Sequence, residues 1–169
     1  MSAFRSIEWK NDQLRLLDQR QLPAITTYND YKDYKEVAKA ITTMVVRGAP
    51  AIGVTAAFGL AIAARQSAAT TMTDFLADLD QAGAHLMAAR PTAVNLAWAV
   101  QHLLTLAKET AEVAVLPDVV AIAALQKTLL TEAQGLCQAD IEICQQLGTH
   151  ARHSFPIQPP SSITATQGP

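Results

Sequence analysis

The sequence predicts a mainly α-helical fold in which a small N-terminal antiparallel β-hairpin region precedes a helical bundle. Three observations predict it. Short apolar pieces flank the turn residues Asn11-Asp12-Gln13. From Tyr34 onward, apolar residues recur at helical spacing. Pro50, Pro91 and Pro117 punctuate that pattern where helices start or stop. With half of its 169 residues apolar and alanine abundant, the chain can bury the core of one domain.

Ser6 to Lys10 and Leu14 to Leu17 form the expected hairpin. Pro23 precedes another extended piece, Ala24 to Tyr28, and Asn29-Asp30 and Asp33 are read as turn or cap residues. Val37, Ile41 and Met44 place a first helix over about Tyr34 to Met44. A second runs from about Pro50 to Arg65, its glycines and alanines permitting close helix approach. Thr73 is the expected cap of a third helix with the apolar face Phe75, Leu76, Leu79, Ala82 and Leu86. Pro91 disfavours helix at Arg90, so the third helix ends there. Thr92 is the expected cap of the fourth, whose apolar positions include Val94, Trp98, Leu103 and Leu104. Pro117 opens a last long helix reaching about Gly148, with Val120, Ala123, Leu125, Leu129, Leu130 and Leu136 apolar.

Composition narrows the function. A net charge of −2 gives no nucleic-acid footprint, and no block of like charge suggests a tail or a membrane surface. The start, Met1 to Arg5, lacks the apolar core of a signal peptide. The longest apolar stretch, Ala49 to Ala64, is broken by Gly53, Thr55 and Gly59 and is too short to span a bilayer comfortably. The sequence reads as that of a soluble cytoplasmic protein with no membrane partner. Cys137 and Cys144 share a helix face about 10 Å apart along the axis. That is too far for a disulfide, so buried structural cysteine is expected. Together with His150 and His153 they lack zinc spacing, and no metal or cofactor is assigned.

Two arginine corners carry the candidate chemistry. In Met44-Val45-Val46-Arg47-Gly48-Ala49-Pro50-Ala51-Ile52-Gly53, an arginine and a glycine precede a proline at a helix start. The free N–H groups expected at Ala51 and Ile52 lie at the positive end of the helix dipole. Gly48 lets an anion approach the backbone, and Arg47 adds a charge-assisted fork. In Ala89-Arg90-Pro91-Thr92-Ala93-Val94-Asn95-Leu96, Arg90 occupies a second helix–helix corner. Convergence of the two would make a phosphate pocket; two unrelated capped corners are the competing reading.

Together with Leu17-Asp18-Gln19-Arg20-Gln21-Leu22-Pro23, these segments make residues 5–150 resemble the methylthioribose-1-phosphate isomerase family. More distant relatives are ribose-1,5-bisphosphate isomerases and the regulatory subunits of translation initiation factor 2B. The resemblance implies an aldose–ketose isomerase of methionine salvage, converting 5-methylthioribose 1-phosphate to 5-methylthioribulose 1-phosphate. It implies phosphate binding by Arg47, Gly48, Ala49 and Arg90, with Asn95 supporting the corner. It also implies a homodimer, and a second, Rossmann-like domain that supplies a catalytic cysteine and aspartate absent from this chain. Asp18, Gln19 and Arg20 are expected to pair structurally. Tyr28 and Tyr31 line a pocket or pack on the hairpin.

The domain is expected over residues 1–150, with 151–169 a non-native or disordered tail. Three prolines between Pro156 and Pro160 forbid a helix there. Ile163 to Pro169, re-read one frame away, is compatible with the His-Cys-Asn-Ala-Gly-Ala phrase that the family resemblance calls for. A frameshift near residue 151 is therefore expected, leaving an inactive fragment with newly uncovered apolar surface that self-associates. A regulatory binding module and a stand-alone helical interaction domain are the alternatives.

Overall fold

The computed structural model describes residues 5–154. The sheet region comprises β1 (Ile7–Lys10), β2 (Gln13–Leu17) and β3 (Tyr28–Tyr31), antiparallel in the order β1-β2-β3. Asn11 and Asp12 both have positive φ, 50° and 60°, as a two-residue hairpin turn requires when its twist must match the strands. The register then sets Lys10 opposite Gln13 and Ile7 opposite Leu16. It buries Ile7, Leu14 and Leu16 on the helix side.

β3 departs from the sequence expectation. The extended piece falls at Tyr28–Tyr31 rather than Ala24 to Tyr28, and Asn29 and Asp30 are strand residues instead of a turn. Cross-strand pairing overrides their turn propensity. Asp30 lies opposite Arg15 and accepts from its Nε at 2.7 Å and its Nη2 at 2.9 Å. The expected hairpin and the further extended piece thus join in one three-stranded sheet.

Five helices follow: α1 (Tyr34–Thr42), α2 (Ala49–Gln66), α3 (Met72–Ala89), α4 (Val94–Glu112) and α5 (Asp118–Ser154). Asp33 caps α1 by accepting from the Lys35 N–H at 2.8 Å. α1 stops short of Met44 because Met44 takes a left-handed φ of 60°. The Met44 N–H donates to the Ile41 carbonyl and the Val45 N–H to the Ala40 carbonyl. This is a Schellman ending with methionine in the place usually taken by glycine.

α2 is the centre of the molecule. Every residue from Ile52 to Ala64 is buried, with α1, α3, α4 and α5 packed around it and Trp9 of β1 stacked on its Phe58. An all-apolar helix surface has no solvent face to present, so it needs partners on every side. The capping expectations for α3 and α4 are both revised. Thr71, not Thr73, caps α3, in a reciprocal arrangement with Asp74. Thr92 does not cap α4; the N-cap is Ala93, with no side-chain hydrogen bond.

The buried face of α4 is Leu96, Ala99, Val100, Leu103 and Ala107, leaving Val94 and Trp98 exposed. On α5, Ala121, Ile122, Leu125, Leu129 and Ala133 are buried, whereas Val120 and Ala123 are exposed. α5 continues past Gly148, the end expected for it, to Ser154. The segment expected to be frame-shifted and most of the expected tail lie outside the described residues. Cys137 is half-buried, with burial pushing its thiol pKa up, and Cys144 is exposed; the expectation of buried cysteines fails. Among the described residues, no helix is long and apolar enough to cross a membrane, and no group of three or more His, Cys, Asp or Glu is placed to hold a metal.

Candidate anion-binding corner

Two hydrogen-bonded or close-packed contacts bring the arginine corners to one end of the bundle. The Thr42 hydroxyl, at the end of α1, donates to the Ala89 carbonyl at the end of α3 at 3.3 Å. Gly53, in the second turn of α2, lies against the first turn of α4. A Cβ at Gly53 would stand 2.9 Å from the Asn95 carbonyl oxygen, so only glycine permits this approach. The chain links α1 to α2 through Arg47 and α3 to α4 through Arg90. Both arginines therefore belong to neighbouring turns on the same end.

Gly48 is the N-cap of α2, with φ 97° and ψ 131°, a backbone state closed to most L-residues. Ala49 begins the helix and Pro50 follows it, so one of the first N–H groups is missing by chemistry. The Ile52 N–H, expected to be free, donates to the Gly48 carbonyl at 2.9 Å. Among the described residues, the N–H groups of Ala49 and Ala51 have no backbone acceptor. No side chain caps the helix start and no acid lies in its first turn. The positive end of the dipole is left to whatever anion approaches.

Charge pairing separates these arginines from Arg15, Arg20 and Arg65, although Arg5 also pairs with no carboxylate among the described residues. Arg15, Arg20 and Arg65 each hold a carboxylate, of Asp30, Asp18 and Asp12 respectively. Neither Arg47 nor Arg90 has a carboxylate within pairing distance among the described residues. Arg47 is exposed and Arg90, the C-cap of α3, is half-buried. Asn95 is exposed on α4, and its backbone rather than its side chain makes the contact with Gly53.

The Leu17 to Pro23 segment supports the corner from below. Asp18 is buried and accepts from Arg20 Nε at 2.8 Å, Arg20 Nη2 at 2.6 Å, the Arg20 backbone at 3.1 Å and Gln21 Nε2 at 3.3 Å. The Arg20 guanidinium above all draws the Asp18 carboxyl down to about 2, against the opposing effect of burial. The next backbone N–H, of Gln19, donates to the Val45 carbonyl at 2.9 Å, two residues before Arg47. These residues hold the loop; none of them faces an unfilled partner. Tyr31 borders a cavity of about 350 Å³ with Arg20, Glu36 and Lys39, and burial pushes its hydroxyl pKa up. Tyr28 pairs with Leu17 across the sheet.

Beside the corner lies a second cavity, of about 300 Å³, lined by Pro50, Gly53, Val54, Asn95, Trp98 and Leu136 among others. Trp98 stacks on His102 with centroids 5.3 Å apart, and His102 Nε2 lies 2.8 Å from Glu132 Oε1 on α5. The i, i+4 spacing of Trp98 and His102 was available in the sequence, but the link to Glu132 has no local signal.

A sequence model described as the Initiation factor 2 subunit family matches residues 45–159. The chain is 49% identical over 158 residues to a methylthioribose-1-phosphate isomerase of Synechococcus sp., covering 94% of this chain and 43% of the relative. It is 40% identical to the enzyme so named from Geobacter sulfurreducens, covering 91% and 42%. Among solved structures, the fold is similar to 5-methylthioribose 1-phosphate isomerase from Pyrococcus horikoshii OT3, with a TM-score of 0.83, 34% identity and coverage of 92% of this chain and 42% of that one. It is also similar to subunit delta of translation initiation factor eIF-2B from A. fulgidus, with a TM-score of 0.69, 33% identity and coverage of 83% and 38%. The chain thus spans less than half the length of these relatives.

Proposed function

The chain belongs to the initiation factor 2 subunit family, and on that premise we propose that it is the phosphate-holding part of a sugar-phosphate aldose–ketose isomerase. Its substrate in this reading is 5-methylthioribose 1-phosphate, the compound in the names of its relatives. Arg47 and Arg90 bind the phosphate as charge-assisted forks, and the backbone of Gly48 and Ala49 cradles it. Asn95 fixes the geometry by holding the start of α4 against Gly53. The observation that carries the reading is the contrast in pairing: two arginines without carboxylates sit on neighbouring turns beside an uncapped helix start. The isomerase reading is favoured over a translation-factor module by the closer fold match, 0.83 against 0.69.

By itself the chain binds the phosphate end and does not turn the substrate over. Moving hydrogen between C1 and C2 needs acid–base groups within hydrogen-bond reach of those carbons. The family resemblance assigns that role to residues outside this sequence. Calorimetric titration with 5-methylthioribose 1-phosphate tests the reading. Binding that Arg47→Ala and Arg90→Ala each weaken roughly tenfold or more supports it. Binding indifferent to both substitutions rejects the site, and turnover lost in Arg90→Ala rejects the division of labour.

The same reading places the chain in the cytoplasm and gives it no nucleic-acid partner. It also has the chain self-associate, since Val94, Trp98, Ile143 and Leu147 are all exposed.

A further inference from the structure

The cavity beside the corner is the part of this end that phosphate binding leaves unused. It holds about 300 Å³ and is walled by three helices of the chain. α2 contributes Gly53 and Val54, α4 Trp98 and Ala99, and α5 Leu136 and Ile143, so the walls are largely apolar. The cavity is also continuous with the corner. Pro50 and Gly53 near the start of α2, and Asn95 in the first turn of α4, line it as well. One flat wall is held in place from within the fold. The Trp98 indole stacks on the His102 imidazole with an interplanar angle of 1°, and His102 Nε2 lies 2.8 Å from Glu132 Oε1 on α5. An indole that is 55% exposed yet braced in this way has little freedom left to lose when a ligand covers it. Asp140 is the one charged residue in the lining. It repels a phosphate, so a phosphorylated ligand keeps that group on the arginine side and turns its other end to the cavity.

We propose that this cavity takes the methylthio end of the sugar phosphate, and that Trp98 sets the preference for it. This subsite rests on the phosphate reading above and adds to it a place for the opposite end of the same ligand. With the phosphate at Arg47 and Arg90, the pentose bridges the first turns of α2 and α4, and the sulfur reaches the indole. A thioether sulfur is polarisable and makes favourable contacts with aromatic rings. A hydroxyl in its place would give up its water to Val54, Ala99 and Leu136, whose side chains offer no hydrogen bond. The cavity therefore discriminates between a methylthio group and a hydroxyl on C5. His102 and Glu132 are positioning residues: they hold the indole and do not touch the ligand.

The experiment is calorimetric titration of the full chain with 5-methylthioribose 1-phosphate and with ribose 1-phosphate, which differ only at C5. The methylthio compound should bind roughly tenfold or more tighter. Trp98→Ala, at an exposed position, should remove that ratio by weakening the methylthio compound alone, with helicity unchanged. Trp98→Phe keeps an aromatic wall and should retain most of the ratio. His102→Ala should reduce the ratio, and His102→Phe, which still offers a flat ring to the indole, should restore it. Arg47→Ala should weaken both compounds equally and leave the ratio as it was. Equal binding of the two compounds by the unaltered chain overturns the subsite and leaves the phosphate reading standing. A ratio that survives Trp98→Ala overturns the assignment to this cavity. Equal weakening of both compounds by Trp98→Ala gives the indole a structural role and overturns its role in specificity. Failure of both compounds to bind overturns the phosphate reading and the subsite with it.

Discussion

The arginines paired around the sheet and the arginines of the helix corners are the same residue placed in opposite circumstances. On the sheet side, Arg15, Arg20 and Arg65 hold carboxylates at 2.7, 2.6 and 2.8 Å. At the corners, Arg47 and Arg90 hold none among the described residues. The first group's positive charge is already neutralised within the fold, so it fixes strands and loops. The second group's charge is free for a ligand. The difference teaches where a positive residue contributes to stability and where it is available for binding.

The comparison breaks most readily at Asp18. Asp18→Ala leaves Arg20, Gln21 and Asn29 without a shared acceptor in a buried place, and should cost about 3 kcal/mol of stability in urea denaturation. The milder Asp18→Asn removes the charge alone. The native carboxyl titrates at about 2 against an ordinary value of 3.8, a depressed pKa. Its stabilisation of about 2 kcal/mol is therefore present above pH 4 and is lost as the pH falls from about 4 through about 2. The gap between wild type and Asp18→Asn should close over that window. A gap independent of pH would show that packing, not charge, holds the loop.

Gly53→Ala comes next. The new methyl meets a backbone carbonyl at 2.9 Å, which cannot swing aside as a side chain would. A loss of about 1–2 kcal/mol is expected despite the better helix propensity of alanine. Phosphate affinity should fall with it, because α4 is pushed off α2. A variant that loses stability and keeps its affinity would detach the corner from the helix contact.

Arg47→Ala and Arg90→Ala should then change stability by no more than about 0.5 kcal/mol in the same denaturation series. A larger loss would move them into the structural group. The smallest effect belongs to Arg15 and Asp30, which are 30% and 39% exposed. A double-mutant cycle should give a coupling of about 0.2–1 kcal/mol that shrinks with added salt.

Sequence periodicity disclosed the helices because the four helices around α2 each need an apolar stripe, and such stripes survive in one dimension. It misplaced β3 because Asn29 and Asp30 are turn residues by propensity and strand residues by partnership. That partnership, with Leu16 and Arg15, is set by distant parts of the chain. Caps went astray by two residues at Thr73, where two threonines competed and the Asp74 carboxylate chose Thr71. Val94, Trp98 and Val120 share the apolar spacing of their helices yet are exposed, because apolar residues at helical spacing do not say which side of the stripe is covered. At the corner, Gly48 and Pro50 announced a helix start in local chemistry alone. The approach of Gly53 to Asn95 joins residues far apart in the chain, and no word in the sequence spells it.

The chain's two tryptophans stand in contrasting surroundings. Trp9 is stacked on Phe58 at 5.6 Å against the core, whereas Trp98 rests on His102 at the rim of the open groove. The molecule therefore carries two built-in optical probes. Trp9, half-buried against Phe58, should emit further to the blue and report whether the sheet still lies on α2. Trp98, 55% exposed, should emit further to the red and report what occupies the groove. A single excitation wavelength thus follows unfolding and docking in one sample, each read by its own colour.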